Sequence, residues 1–286
     1  MSFMEIVKAM LFGVVEGITE WLPVSSTGHM ILLNQIWPLQ VSESFYGLFE
    51  VVIQLGAIMA VLMVFWNSVW PFGRRGNRHP AGEDGLLAWV KLDKIILWLK
   101  IMLACVPAAV VGVLFDDVFD ALFYGPVCVA IMLILVGAAF IVVENVRADK
   151  TPRIRSLRKL DYGTAALIGV FQLIAAIFPG TSRSGATIVG ALLLGVSRDV
   201  AVEFTFFLAI PVMFGASLLK IVKYDAAISG NEFALLAVGM LVAYAVSMLV
   251  IRALISYVKT HDFKAFGWYR IVLGIAVMAY FLFIAR

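Results

Sequence analysis

The sequence predicts an all-α polytopic membrane protein in which two inverted repeats each contain one re-entrant helical hairpin and three transmembrane helices. Three observations indicate this architecture: the composition, six long apolar runs, and two apolar regions that are broken by similar motifs. Of the 286 residues, 63% are hydrophobic and 14% are charged, and the mean hydropathy is +1.00. So few charged residues do not solvate a globular domain of this length, so we expect lipid to cover much of the surface.

Six apolar runs are long enough to cross a bilayer as helices, which takes about 20 residues. Two further regions, 5–38 and 163–196, are also apolar but are interrupted at 22–29 and at 178–185. Neither arm of these regions is long enough to span, so each is expected to enter the membrane as a hairpin and return to the same side. The six uninterrupted runs are 47–66, 98–115, 125–144, 203–221, 235–256 and 268–285.

The two interrupted regions resemble each other at an offset of 156 residues. Segments 13–16 and 23–28 match segments 169–172 and 179–185, with one residue inserted at Arg183. Each half then contributes one hairpin and three crossings, and an odd number of crossings inverts one half relative to the other. We therefore treat 1–286 as one integral membrane domain with a first repeat at 1–145, a cytoplasmic linker at 146–162 and a second repeat at 163–286.

Loop charge predicts the orientation of the helices. Segments 67–97, 146–162 and 257–267 carry five, six and two Lys or Arg residues, whereas segments 116–124 and 221–235 carry none and one. Cytoplasmic loops carry the excess of Lys and Arg. The first three segments are therefore expected in the cytoplasm and both termini in the periplasm.

Two carboxylates lie in the first interrupted region. Glu16 and Glu20 are four residues apart, so they project from one face of a helix. In apolar surroundings such a pair is tolerated if a cation lies between the carboxylates or if they share a proton. Mg²⁺ commonly binds one or two carboxylates together with substrate phosphate oxygens, so the pair is a candidate metal site.

The loop after these carboxylates carries hydroxyl groups and a histidine. Ser26 and His29 lie about one helical turn apart, which suits a nucleophile and its base. Glu20 could orient the imidazole or hold the metal. Ser25 and Thr27 are candidate phosphate ligands, and simple helix capping explains each of them equally well.

The second interrupted region carries the strongest signal for an anion site, at 179–187. Arg183 is a permanent cation in an apolar region, and its planar fork matches a phosphate group. An ion pair with Glu16 or Glu20 and no ligand is the alternative. The remaining candidate phosphate ligands of this loop are Gly180, Thr181, Ser182, Ser184 and Thr187.

Three more polar residues are expected to support the site without reacting. Gln172 stands in the second repeat where Glu16 stands in the first. Glu50 and Gln54 are four residues apart on the first long helix and could line the same cavity. A pyrophosphate on a lipid tail fits such a site, because its head reaches the middle of the membrane while its chain stays in the bilayer.

The motifs at 16–29 and 179–187 resemble those of the bacitracin-resistance BacA family of undecaprenyl-pyrophosphate phosphatases. The resemblance implies hydrolysis of undecaprenyl pyrophosphate to undecaprenyl phosphate in the bacterial inner membrane, at a site that opens toward the periplasm. This activity recycles the carrier lipid for cell-wall synthesis and confers bacitracin resistance. The family requires Mg²⁺ or Ca²⁺. By motif position, Glu16 and Glu20 would hold the metal, Ser26 and His29 would be catalytic, and Arg183 would hold phosphate.

Several alternatives stay open at this point. A polyprenyl-phosphate flippase or anion transporter could use the same inverted repeat, although a simple carrier would not require the carboxylates, Ser26 and His29. The nucleophile could be Ser26, His29 or water. The expected partners are the lipid substrate and the bilayer, with no nucleic acid at a net charge of only +3. The sequence is also compatible with a homodimer.

Overall fold

The chain forms a bundle of α-helices. The computed structural model describes residues 2–73, 77, 79–82, 85, 87–123 and 125–283, without the side chains of 113, 116, 117 and 120. Among these residues the β-structure is limited to isolated bridges. The helices are α1 Phe3–Thr19, α2 Ser26–Ile36, α3 Glu43–Val64, α4 Trp66–Val69, α5 Leu92–Phe123, α6 Pro126–Arg147, α7 Tyr162–Ile177, α8 Arg183–Leu193, α9 Arg198–Val222, α10 Gly230–Tyr257 and α11 Lys264–Phe283.

Six helices in the described part of the chain are long and apolar enough to cross a membrane: α3, α5, α6, α9, α10 and α11. They correspond to the six predicted runs, so the predicted all-α, multi-pass class is confirmed. The helices extend beyond the apolar runs because charged residues also fit the helical ends. In α5, for example, the helix begins at Leu92 and includes Asp93 and Lys94, whereas the apolar run begins at Trp98.

Each interrupted region forms two short helices joined by a loop. The helices α2 and α8 have 11 residues each, so they are only about 17 Å long at 1.5 Å per residue. The first pair has its free ends close together. Lys8 donates a hydrogen bond to the Pro38 carbonyl at 2.6 Å, and the Gln40 N–H donates to Glu5 at 2.8 Å. The chain therefore leaves α2 beside the point where it entered α1.

The free ends of the second helix pair, α7 and α8, also lie close together. The N–H groups of Arg153 and Ile154, which precede α7, donate to the Gly195 carbonyl that follows α8, at 2.8 and 3.1 Å. The Arg153 guanidinium also donates to Thr164 in the first turn of α7 at 3.2 Å. Both pairs are thus hairpins whose tips are the loops at 20–25 and 178–182.

Each hairpin is held by a helix from the other half of the chain. A Cβ on Gly13 of α1 would lie 2.6 Å from the Gly239 carbonyl oxygen of α10. A Cβ on Gly169 of α7 would overlap the Ala104 carbonyl of α5. Gly137 of α6 and Gly267 of α11 face each other in the same close manner. These contacts bring the two hairpins into the middle of the bundle, where their tips meet.

Candidate active site at the hairpin tips

Each hairpin tip contains a serine in the left-handed region of backbone conformation. Ser25 has φ 74° and Ser182 has φ 68°, and the two are the N-caps of α2 and α8. Their hydroxyls accept hydrogen bonds from the Gly28 and Gly185 N–H groups at 3.3 and 3.2 Å. Such a conformation costs a non-glycine residue about 1–3 kcal/mol and is concentrated at functional sites. The capping that explains Ser25 without a function is therefore present, and Ser182 caps α8 in the same way.

Glu20 lies where the two tips meet. One of its oxygens accepts a hydrogen bond from the Ser26 hydroxyl at 2.7 Å, and the other accepts from the Arg183 guanidinium at 2.9 Å. The side chains of Arg183 and Glu20 are only 11% and 10% exposed. The Ser184 hydroxyl donates to the Glu20 backbone carbonyl at 3.4 Å. A single carboxylate therefore connects a serine of the first hairpin with an arginine of the second.

The Arg183 guanidinium is fixed by more than Glu20. Its Nη1 donates to the Thr205 carbonyl of α9 at 2.9 Å, and Nη2 lies 3.7 Å from the Met213 sulfur. Thr187 donates to the Arg183 carbonyl at 2.9 Å and shares a 3.0 Å hydrogen bond with the Thr205 hydroxyl. The Arg183 Nε atom is buried and has no hydrogen-bond partner in the described chain. The ion pair between Arg183 and Glu20, which was the alternative to an anion site, is thus present. The Nε–H group of Arg183 remains without a partner among the described residues.

Glu16 and Gln172 occupy equivalent positions of the two hairpins, and both are buried. Glu16 is 1% exposed and Gln172 is 2% exposed. Within the described residues, Glu16 Oε1 and both polar side-chain atoms of Gln172 lack a hydrogen-bond partner. Buried polar groups normally have partners, so these atoms are available for a ligand. Glu16 interacts electrostatically with Glu20, Glu50 and Arg183, which places Glu50 of α3 near the site.

The donor set suits a divalent cation that also binds phosphate. No cluster of three or more His, Cys, Asp and Glu side chains able to hold a metal occurs among the described residues. The carboxylates of this site are therefore too few to complete the coordination shell of a divalent cation by themselves. Mg²⁺ needs only one or two carboxylates when substrate oxygens and water complete its shell. Glu16, with its unpaired oxygen, and Glu20 fit that requirement.

His29 faces α11 and makes no hydrogen bond to Ser26. Its Nδ1 lies 2.7 Å from the Ser25 carbonyl oxygen, and its Nε2 lies 2.7 Å from the Tyr269 hydroxyl. The one-turn spacing suggested a Ser26–His29 pair, but the structure differs at this point. Ser26 is the first residue of α2, and its hydroxyl turns back across the loop to Glu20. The His29 ring packs one turn later against α11.

The other candidate residues either make contacts that shape the second loop or lie partly buried on a neighbouring helix. Gly180 has φ +90°, and a Cβ there would lie 2.6 Å from the Val129 backbone, so only glycine fits. The Thr181 hydroxyl donates to the Phe178 carbonyl at 2.7 Å. The Ser182 and Ser184 hydroxyls share a 3.1 Å hydrogen bond. Thr27 and Gln54 are partly buried, on α2 and α3 respectively.

Arg270 of α11 is a residue that the sequence analysis missed. It is fully buried, and its guanidinium donates to the carbonyls of Pro23 in the first tip at 3.2 Å and of Gly180 and Thr181 in the second at 3.0 and 2.8 Å. An arginine inside an apolar run is a functional candidate by default, and Arg270 lies in the run 268–285. That signal was present in the sequence. Tyr269 gave no such signal, since tyrosine is common at the ends of membrane helices.

Comparisons with known proteins give matches along nearly the whole chain. The family model described as bacitracin resistance protein BacA matches residues 9–276. The chain is 55% identical over 284 residues to undecaprenyl-diphosphatase 1 of Clostridium acetobutylicum, covering 99% of this chain and 100% of the relative. It is 56% identical to the undecaprenyl-diphosphatase of Desulfitobacterium hafniense, covering 98% of both chains. It is 52% identical to that of Enterococcus faecalis, covering 97% of this chain and 98% of the relative.

The role of Arg270 as a clamp between the tips gives a stability prediction. In Arg270→Met the carbonyls of both tips lose their donor, and each buried unsatisfied group costs about 1–3 kcal/mol. We expect the midpoint of thermal unfolding in detergent to fall by roughly 5–10 °C. Arg252→Met is the matched control, since Arg252 is exposed on α10. Equal midpoints for the two variants would show that Arg270 does not hold the tips.

Proposed function

The chain belongs to the bacitracin-resistance BacA family, and we propose that it hydrolyses undecaprenyl pyrophosphate to undecaprenyl phosphate and inorganic phosphate. The names of its relatives support this substrate. The observation that carries the proposal is the arrangement of Ser26, Glu20 and Arg183, in which a hydroxyl and a cation converge on one buried carboxylate. This reaction would return carrier lipid to cell-wall synthesis and confer resistance to bacitracin.

The charge of the site supports a requirement for Mg²⁺ or Ca²⁺. Glu16 and Glu20 interact with Arg183, and Arg270 is directed at backbone carbonyls of the tips, so a pyrophosphate would add negative charge to a site that already holds two carboxylates. Buried like charges repel strongly, so an additional cation is needed. Glu16 and Glu20 would hold it. When bound, the cation would neutralise phosphate charge and increase the electrophilicity of the terminal phosphorus.

The hydrogen bond from Ser26 to Glu20 supports Ser26 as the nucleophile. In the first step Ser26 Oγ bonds to the terminal phosphorus, the bond to the bridging oxygen breaks, and undecaprenyl phosphate leaves. The Ser26 proton passes to the Glu20 oxygen that already accepts its hydrogen bond. Water then attacks the phosphoserine, and Glu20 returns the proton to the departing Ser26 oxygen.

The positions of the remaining groups support their proposed tasks. Arg183, with its unpaired Nε and the N-terminus of α8 beside it, faces the developing negative charge on phosphate. Gln172 and Glu50 would orient the groups that bind the head, together with Gln54. His29 would act on the substrate from the α11 side of the tips. Attack by His29 or by water remains the alternative to attack by Ser26.

We also propose that the hairpins are re-entrant and that the two halves form inverted repeats. The free ends of each hairpin lie together, and the 11-residue second helices are too short to cross a bilayer. Gly13 and Gly169, at the repeat offset of 156 residues, both form a close contact with a crossing helix of the other half. Ser25 and Ser182 have the same unusual backbone conformation and the same cap. These correspondences support a repeat.

In the proposed orientation the chain lies in the bacterial inner membrane. The Lys- and Arg-rich segments between α4 and α5 and between α6 and α7 would be cytoplasmic. Both termini would then be periplasmic, and the first hairpin would enter from the periplasm. The tips, where the head group would be cleaved, would open toward the periplasmic side.

The activity itself is tested with purified protein, undecaprenyl pyrophosphate and Mg²⁺ or Ca²⁺, by measuring phosphate release with and without a chelator. We expect metal-dependent release.

Arg183→Lys should lower the rate on the order of 100-fold, since lysine cannot contact Glu20, Thr205 and phosphate together. Arg252→Lys on exposed α10 surface should retain the rate. An Arg183→Lys enzyme with normal turnover would contradict the role of Arg183 in binding phosphate. If no metal supports release but the protein moves polyprenyl phosphate across vesicles, it is a flippase.

The nucleophile is tested by trapping. With substrate labelled in its terminal phosphate, we expect acid-stable label on the protein, because phosphoserine survives acid. The label should disappear in Ser26→Ala and persist in a Glu16→Gln variant assayed at high metal concentration. Label that is lost in acid and depends on His29 would instead identify a phosphohistidine. No label, with inversion at a chirally labelled phosphorus, would identify water as the nucleophile.

The orientation is tested with a reporter enzyme that is active only in the cytoplasm. Fused after Arg286 it should be silent, and fused after Lys150, in the segment between α6 and α7, it should be active. The fusion after Lys150 also controls for expression. A strong signal from an intact fusion after Arg286 would overturn the proposed orientation.

A further inference from the structure

Two contacts of the His29 ring, one to the Ser25 carbonyl and one to Tyr269, define its tautomer and its orientation. Nδ1 lies 2.7 Å from the Ser25 carbonyl oxygen, which can only accept a hydrogen bond. Nδ1 therefore carries the proton in the neutral imidazole, and Nε2 has a free electron pair. The Tyr269 hydroxyl, 2.7 Å from Nε2, donates to that pair.

The contact is more than a chance approach of two side chains. The His29 and Tyr269 rings are nearly parallel, with an interplanar angle of 3° and centroids 5.7 Å apart, and they meet through the hydroxyl. A hydroxyl can donate to unprotonated Nε2 and can accept from protonated Nε2–H. The ring therefore keeps one orientation when it gains or loses a proton, without rotating about its own bonds.

The position of Tyr269 on α11 adds to this constraint. The next residue, Arg270, holds the carbonyls of both tips, so one turn of α11 fixes the loops and the imidazole together. Tyr269 itself is 48% exposed, so its hydroxyl and the His29 edge that it contacts lie at the surface of the bundle and not in its core.

We propose that Tyr269 is a positioning residue for His29: the Ser25 carbonyl fixes the proton on Nδ1, and the Tyr269 hydroxyl holds the ring in one orientation through Nε2. The proposal rests on the proposed function only for the part that His29 plays in hydrolysis. The hydrogen bond and the ring orientation do not depend on which reaction takes place. A tyrosine that merely anchors α11 at the membrane surface would influence neither.

The test compares Tyr269→Phe, which keeps the aromatic ring and removes the hydroxyl, with wild type. The matched control is Tyr280→Phe on the same helix, whose ring contacts Phe281. The first measurement is the rate at which diethyl pyrocarbonate modifies His29, followed by mass spectrometry. His79 and His261 in the same protein serve as internal references. Losing one hydrogen bond at Nε2 should make His29 react roughly 2- to 10-fold faster in Tyr269→Phe, with no change in Tyr280→Phe.

The second measurement is the steady-state kinetics of the same variants. We expect kcat of Tyr269→Phe to fall roughly 10-fold with little change in KM, because substrate binding is intact and the His29 imidazole is misplaced. An unchanged reactivity of His29 in Tyr269→Phe would overturn the hydrogen bond and with it the proposal. Faster modification with an unchanged kcat would overturn the positioning role. If wild type hydrolyses nothing, the proposed function fails, and the reactivity comparison still decides whether Tyr269 holds His29.

Discussion

The buried ion pair between Glu20 and Arg183 joins two hairpin tips that are 163 residues apart in the chain. Moving two charges out of water costs several kcal/mol for each ion unless hydrogen bonds complete their shells. Ser26 completes the shell of the carboxylate, and the Thr205 carbonyl completes much of that of the guanidinium. Removing one partner would leave an uncompensated buried charge, which typically costs about 3–5 kcal/mol. The meeting of the tips and the pairing of the charges therefore depend on each other.

The two hairpins share a shape and differ in chemistry. Both have a capping serine at a positive φ and a short helix that begins at the tip. The first supplies carboxylates and a histidine, whereas the second supplies Arg183 and has the neutral Gln172 in place of Glu16. One scaffold thus places carboxylates and a histidine opposite a guanidinium and hydroxyl groups. In the proposed function a pyrophosphate head uses both sets at once.

Local chemistry made the helices and tips predictable from the sequence. Apolar runs predicted the six long helices, and the Pro-, Ser- and Gly-containing breaks predicted the two tips, because these residues have strong local preferences. The partners of the site residues were harder to predict. Spacing alone suggested that Ser26 meets His29, but Glu20 reaches Ser26 from the other side of the loop. Tyr269 contacts His29 from 240 residues away, and such a pairing leaves no pattern in a single sequence.

The hairpin helix of each half packs on a long helix of the other half, and this has a consequence for folding during synthesis. The helix α7 can dock on α5 as soon as it is made, because α5 precedes it. The helix α1 packs on α10, which begins roughly 210 residues after α1 ends, so at about 5–20 residues per second it waits for some tens of seconds. For most of that interval Glu16 and Glu20 have neither α10 nor Arg183 beside them, because Arg183 is made only 47 residues before α10 begins. The first hairpin is therefore the part of the newborn chain that most needs protection, from the insertion machinery or from the membrane surface, until synthesis is nearly complete.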